Sequence, residues 1–393
     1  MIDSEIKAEN QVSDEPPRKR RQTDEAEIIN RPKKVLTAMF HKTADPCVQA
    51  RHLIASESLP YKGPSVLIMG DGNLSFSCAF ARMFPKFNIV ASVVESKEEF
   101  KERYPSGSES LEELSSLPNV AVNFGVDATK LPEEWRGRFQ DIIMNFPHPG
   151  GKTNLKRSKE LISGVFSSLQ GIMTPNCRFH LTLAKRQSGL NHSAVKEQRS
   201  RCTEAPEHEK DSWQVLYIAS SYQMLAESVN VFNPSLFLAY RSSGYKNRDQ
   251  GFWNKNKADL ISFVHFTEVP STLPEPVAPP AGPDFFSKEF HSFRSFYLHD
   301  ISILFRANDM EIWEASLFKF IASRTAGLVV DVNEVLRLRS ICPKSQLPNR
   351  IYRLCWQATN FPLSKILSNQ LQNDLRSAIT TYFADESVPL ILS

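Results

Sequence analysis

Four short groups of residues carry side-chain types suited to chemistry on a nucleotide-like ligand. The first is the turn Gly70-Asp71-Gly72-Asn73. Glycines at such a place let the backbone turn tightly and approach a ligand, and a helix behind them offers free N–H groups and a positive dipole end. The third glycine of a GxGxxG fingerprint is missing, because Ser75 stands there, which disfavours a dinucleotide pyrophosphate site. Glu95 follows roughly 20 residues on, the position from which an acid accepts hydrogen bonds from ribose hydroxyls. Asp127 is placed to accept from an adenine amino group. The fourth group, Asn145-Phe146-Pro147-His148-Pro149-Gly150-Gly151, brings an amide, a ring, an imidazole and prolines to one turn. An Asn oxygen or a Pro-flanked carbonyl can accept the hydrogen of a planar ring nitrogen, and an aromatic ring can stack on a base. Together these suit methyl transfer from a sulfonium to a nucleobase nitrogen, a reaction that needs mainly alignment. His148 is the candidate proton acceptor, the alternative being that Asn145 and a backbone carbonyl orient the N–H while water carries the proton away. A plain strand-to-helix turn at Gly70 and a proline-rich closing turn at Asn145 are the bland alternatives.

These residues need elements to hold them. Ser65 to Met69 is a short apolar run that stops at the glycine turn, and a helix-periodic stretch follows from Ser75 through Phe84. Further strand-like runs are Asn88 to Val94, Val120 to Phe124, Asp141 to Met144 and Arg178 to Leu183. Strands separated by helix-length segments predict a parallel sheet with helices on both faces. In such sheets ligands bind at the carboxyl ends of the strands, which is where all four groups fall.

At 393 residues the chain is long enough for two domains and a tail. It is 41% hydrophobic, enough for two cores, and its formal net charge of +3 leaves nucleic-acid binding to local clusters. Cys47, Cys78, Cys177, Cys202, Cys342 and Cys355 form no CxxC pair, which argues against a zinc site and a disulfide framework and for a reduced, intracellular setting. No apolar run is long enough for a bilayer span, so no membrane role is expected. Residues 1 to about 60 lack periodicity and carry the basic knots Arg18 to Arg21 and Arg31-Pro32-Lys33-Lys34. They read as a disordered tail whose knots form a two-part nuclear import signal or a phosphate-contacting arm, or are simply solvated charge, giving a nuclear or nucleolar expectation with the cytoplasm as alternative. Residues 61–268 form the predicted catalytic domain, and the prolines of 269–284 predict an extended, semi-rigid linker.

Residues 285–393 have another rhythm. Strands at His299 to Ile303, Leu328 to Val332, Tyr352 to Trp356 and Val388 to Leu392, with helices at Glu311 to Ala322 and Leu363 to Phe383, give the order β-α-β-β-α-β. That is the ferredoxin-like split unit. Arg337, Arg339, Lys344, Arg350 and Arg353 are candidates for a phosphate-binding face, with Tyr352 and Trp356 available for stacking or, equally, for the core. His192 and His208 lie in a polar stretch, Ser188 to Asp211, that reads as a loop near the site with no catalytic role.

The run Val66 to Ser77, with Gly125-Val126-Asp127-Ala128-Thr129 and Asp141 to His148, resembles the uridine-N3-methyltransferases of large-subunit ribosomal RNA. The match covers about residues 62 to 267, with Leu74 where the family is expected to carry an aromatic residue. The resemblance implies a Rossmann-like class I methyltransferase fold. It implies S-adenosylmethionine near Gly70, Asp71, Gly72, Asn73, Glu95 and Asp127, and the target uridine near Asn145, Phe146, Pro147 and His148. The segments His299 to Ser302, Tyr352 to Leu354 and Asn373 to Ala378 resemble the ferredoxin-fold anticodon-binding domain at the end of phenylalanyl-tRNA synthetases. The basic residue often closing that domain's last strand is missing here, where the chain reads Leu390-Ile391-Leu392-Ser393. The expected function is methylation of an RNA base, with ribosomal RNA as substrate and transfer RNA as alternative. The rival readings are a non-catalytic RNA-binding or synthetase-associated adaptor with a relict methyltransferase domain, and a nucleotide-dependent oxidoreductase.

Overall fold

The computed structural model describes residues 64–151, 154–184, 186–190, 212–244, 248–251, 258–282, 284–306, 310–335, 340–384 and 390–392. The basic knots, Arg337, Arg339, His192 and His208 lie outside them.

The first sheet has seven strands in the spatial order β3-β2-β1-β4-β5-β7-β6. They are β1 (Ser65–Met69), β2 (Asn88–Ser92), β3 (Val120–Asn123), β4 (Asp141–Asn145), β5 (Arg178–Ala184), β6 (Met224–Phe232) and β7 (Ala258–His265). The first five are parallel and β7 runs antiparallel between β5 and β6. Both faces are covered, which explains why β1 and β7 are buried from end to end. On one face α1 (Ser75–Met83), with α2 (Lys97–Arg103) and α3 (Ser108–Ser116) beside it, packs Phe76 and Phe80 with Ile68, Ile143 and Leu260. On the other, α4 (Leu155–Ile172) packs Ile162, Phe166 and Leu169 with Leu67, Phe179 and Phe263. The strand order reverses between β1 and β4, so a crevice must open between their carboxyl ends. Five of the seven strands are those expected from the sequence. The last two were not anticipated; β6 breaks its alternation at a bulge between Ala226 and Ser228.

The second sheet contains β8 (Phe296–Phe305), β9 (Val329–Glu334), β10 (Ser340–Ile341), β11 (Pro348–Gln357) and β12 (Leu390–Leu392), backed by α6 (Met310–Thr325) and α7 (Lys365–Tyr382). Its order is β10-β11-β8-β12, with β9 also on β11, and every pairing is antiparallel. Its four principal strands thus take the spatial order fourth, first, third, second, as in a ferredoxin-like unit. Trp356 and Tyr352 are both fully buried in its core, so the stacking role considered for them gives way to packing.

One further expectation changes in three dimensions. The Pro-rich segment does not run free as a spacer. Leu273 is buried in the second core, Val277 exchanges hydrogen bonds with Ser323, and Arg324 donates to the Pro274 carbonyl at 2.9 Å. The sheets are also in contact. Tyr217, on α5 (Val215–Ser221), sets its ring edge-on to Tyr297 at 5.7 Å, and Arg294 donates to the Ala226 carbonyl at 2.6 Å.

Candidate active site

At the switch between β1 and β4 lies a cavity of about 420 Å³. Gly70, Asp71, Gly72, Glu95, Asp127, Asn145, Phe146, Pro147 and His148 all line it. Nine residues spread over 79 positions of chain are thus gathered at one edge, as the parallel topology requires.

The glycine turn is shaped from both sides. Gly70 has φ +63°, a left-handed conformation that a side chain would strain. A Cβ on Gly72 would come within 2.4 Å of Ser243 Oγ. Asp71 accepts from the Ser77 amide at 2.6 Å, tying the turn to the start of α1, and burial raises its carboxyl above the ordinary range. Asn73 departs from its expected role. It is 2% exposed, its Oδ1 accepts from Ser75 N at 3.2 Å, and it is absent from the cavity wall. It builds the turn. Leu74 follows with φ +60° and a fully buried side chain.

The two acids are each half engaged. Glu95 Oε1 takes the Arg103 guanidinium at 2.6 Å and the Tyr104 hydroxyl at 3.3 Å. Burial, followed by the Glu95 charge, pushes the Tyr104 phenol up to about 12. Asp127 Oδ1 takes the amide and hydroxyl of Thr129, both at 2.8 Å. The second oxygen of each acid can then accept from a ligand. Val94, 57% exposed on the same wall, offers an apolar face beside them.

At the other end of the cavity Phe146 sits at φ +51°. Such strain in a non-glycine residue persists where surrounding structure over-determines it. Here the Phe146 amide bonds to the Thr182 carbonyl at 2.9 Å, and its ring meets Phe232 edge-on at 5.7 Å. The resulting kink sends Asn145 and His148 into the same space. Asn145 Oδ1 accepts from Thr182 Oγ at 2.6 Å, while its Nδ2 is buried without a protein partner. His148 Nδ1 accepts from the Gly150 amide at 2.9 Å. The neutral ring therefore carries its proton on Nε2. Burial, aided by Arg157, lowers its pKa and keeps it neutral. With one nitrogen engaged and the other protonated, His148 is not poised as the proton acceptor expected from the sequence.

Several cavity residues escaped sequence reasoning: Arg103, Tyr104, Tyr240, Ser242, Ser243 and Gly244. The last four belong to the β6–β7 connection, which folds back on the glycine turn. Ser243 Oγ accepts from Asn73 N at 2.9 Å, and Ser75 and Arg241 exchange hydrogen bonds through Ser75 Oγ and the Arg241 backbone at 2.9 and 3.0 Å. These contacts span some 170 residues of chain, and no local signal announces them.

Of the three described members of the expected phosphate-binding face, two are paired with acids. Arg350 pairs with Glu314 at 3.1 Å and Glu334 at 3.8 Å. Arg353 makes two bonds of 2.8 Å to Asp300. Among the described members of the set, Lys344 is the exposed one. No cluster of His, Cys, Asp or Glu among the described residues could hold a metal ion. Nor is any helix among them long and apolar enough to cross a membrane.

A seven-stranded sheet of this order, with its cavity at the β1/β4 switch, defines a class I methyltransferase fold. Residues 67–244 match the family model described as BMT5-like, rRNA (uridine-N3-)-methyltransferase BTM5-like. Among curated proteins, the human ferredoxin-fold anticodon-binding domain-containing protein 1 is 26% identical over 190 residues, 48% of this chain and 29% of that protein. Its mouse homologue is 29% identical over 192 residues, again 48% and 29%. The aligned part is thus under a third of each mammalian relative's length. Among solved structures, the 16S rRNA methyltransferase KamB aligns at 15% identity and a TM-score of 0.33, covering 52% of this chain and 89% of that one. The 16S rRNA (adenine(1408)-N(1))-methyltransferase of Catenulisporales acidiphilia with cosubstrate SAM aligns at 12% and 0.33, covering 58% and 95%.

Proposed function

We propose that the chain is an S-adenosylmethionine-dependent methyltransferase acting on N3 of a uridine in ribosomal RNA. One observation carries this reading. The motifs of the family-matched span converge on a single cavity, with two half-engaged acids at one end and an unsatisfied buried amide at the other.

The donor set fits the cofactor. Glu95 is placed for a ribose diol, Asp127 for an adenine amino group, Val94 for the purine face, and the Gly70 turn for close backbone approach. When bound, S-adenosylmethionine supplies an electrophilic methyl carbon. Arg103 and Tyr104 hold Glu95 in place, and the β6–β7 connection fixes the turn that the cofactor would lie against. At the far end the Asn145 to His148 turn orients the base, so the protein's work is alignment. The second domain docks on the first through Tyr217 and the start of β6. The basic knots of the amino-terminal stretch support delivery to the nucleus; a reporter fused to residues 1–40 is expected to turn cytoplasmic when Arg18 to Arg21 are neutralised.

Calorimetry should find S-adenosylmethionine binding and no NAD binding. Mass mapping of ribosomal and transfer RNA from cells with and without the protein should find one N3-methyluridine missing from ribosomal RNA. NAD binding in place of S-adenosylmethionine, or unchanged maps, would sink the reading.

A further inference from the structure

The target end of the cavity carries two side-chain N–H groups whose own side-chain acceptors are already engaged. Asn145 keeps its oxygen on Thr182 and leaves Nδ2 buried with nothing to donate to. A buried donor left unsatisfied costs about 1–3 kcal/mol, and folds retain such groups where a ligand supplies the acceptor. His148 keeps Nδ1 on the Gly150 amide, so its Nε2 carries hydrogen. Both residues line the same cavity, and the left-handed Phe146 between them, anchored through Thr182 and Phe232, sets their spacing.

We propose that Asn145 Nδ2–H and His148 Nε2–H form a donor pair that recognises the two carbonyl oxygens flanking the imide nitrogen of uracil and eases its deprotonation without a protein base. This rests on the methyltransferase reading above and assigns the selectivity of the same site.

The match is chemical. Uracil N3 lies between two carbonyl groups, both acceptors. Cytosine N3 and adenine N1 each have an amino group next to the ring nitrogen, and an N–H there would face one of these donors. A mismatch of that kind leaves buried polar groups unpaired, which rejects a substrate far more strongly than a change of size. The same two bonds serve the chemistry. When the N3–H bond breaks, the proton passes to water at the cavity mouth and the electron pair stays on the imide, spread over both carbonyl oxygens. Donors fixed where that charge develops stabilise it. A base at His148 is then unnecessary. Asn145 and His148 are, in this account, catalytic residues that touch the reacting base.

Two measurements on the full chain test this. In the first, nitrogen-15 NMR of histidine-labelled protein, with His148→Gln to assign the signal, should show the Nε2–H tautomer. The Nδ1–H tautomer overturns the inference whatever the activity. The second is methylation of total RNA from cells lacking the protein. Gln carries an N–H near the place of His Nε2–H, so His148→Gln should keep at least about a tenth of the wild-type rate, while His148→Ala and Asn145→Asp each lose on the order of a hundredfold. Cofactor affinity by calorimetry should be unchanged in all three. If His148→Gln is as inactive as His148→Ala, the donor role is wrong. If the wild type methylates cytidine or adenosine, the donor pair is wrong and the methyltransferase reading stands. If it binds cofactor and methylates no base, both fall.

Discussion

The two sheets of this protein treat their polar side chains differently. In the second, Arg350 meets Glu314 and Glu334, Tyr352 donates to Glu314 at 2.7 Å, and Arg353 grips Asp300. These groups satisfy one another, and the sheet shows little there for a ligand to take. At the carboxyl edge of the first sheet, Glu95 and Asp127 use one oxygen each and Asn145 leaves a buried amide unpaired. A buried polar group left unpaired beside an open cavity can be satisfied by a ligand there. Positive charge in a sequence is a weaker guide than the presence or absence of a partner in space.

The sharpest way to break that contrast is at Asn145. Asn145→Ala should lower single-turnover methylation by about 10²–10³-fold while calorimetry finds cofactor affinity within twofold. Full activity would mean that the orphaned amide is incidental.

Asp127→Ala comes next, with an expected loss of about 1–3 kcal/mol in S-adenosylmethionine binding. Thr129→Val, which removes only the hydroxyl that holds Asp127 in place, should cost less. Equal losses would assign Asp127 to the architecture of its loop.

In the second sheet, a pH titration separates packing from binding. Burial, followed by Lys365, lowers the His299 imidazole to about 4, and its Nε2 bonds to Ser368 Oγ at 2.7 Å. The folded value lies below the unfolded one, so the unfolded chain binds more protons between pH 6.5 and 4. The stability tied to a neutral His299 is complete above that window and is lost as pH falls through it. Thermal melts of wild type and His299→Gln should diverge in slope across that range and run parallel above it.

The smallest effect is expected for Arg353→Ala. A partly exposed pair of this kind contributes about 0–1 kcal/mol, and filter-binding affinity for RNA should stay within twofold. If affinity falls and the slope against salt drops by about one, then Arg353 leaves Asp300 for a phosphate and the contrast between the sheets fails.

Much of this site was legible before any folding. Gly70, Glu95, Asp127 and Asn145 each stand at the end of an apolar run, and strand ends in a parallel sheet share one edge. Asn73 was misread because a polar residue in a glycine turn looks the same whether it faces the ligand or ties the turn together. Tyr240 to Gly244 were missed because their contacts with the turn cross most of the domain.

From the sequence alone come the five parallel strands of the first sheet, the helix behind the glycine turn, the split unit of the second domain and the motif residues at the switch point. Periodicity and turn chemistry act over a few neighbouring positions, and they need no knowledge of distant chain. Only the tertiary structure decided which atom of each side chain is left to act. Thr182, 37 positions away, takes the oxygen of Asn145 and leaves its N–H. Glu314, 36 positions from Arg350, removes an arginine from the phosphate-binding face. Hydrogen bonds and ion pairs form between whichever groups the fold brings within about 3 Å, and that proximity is a property of the fold.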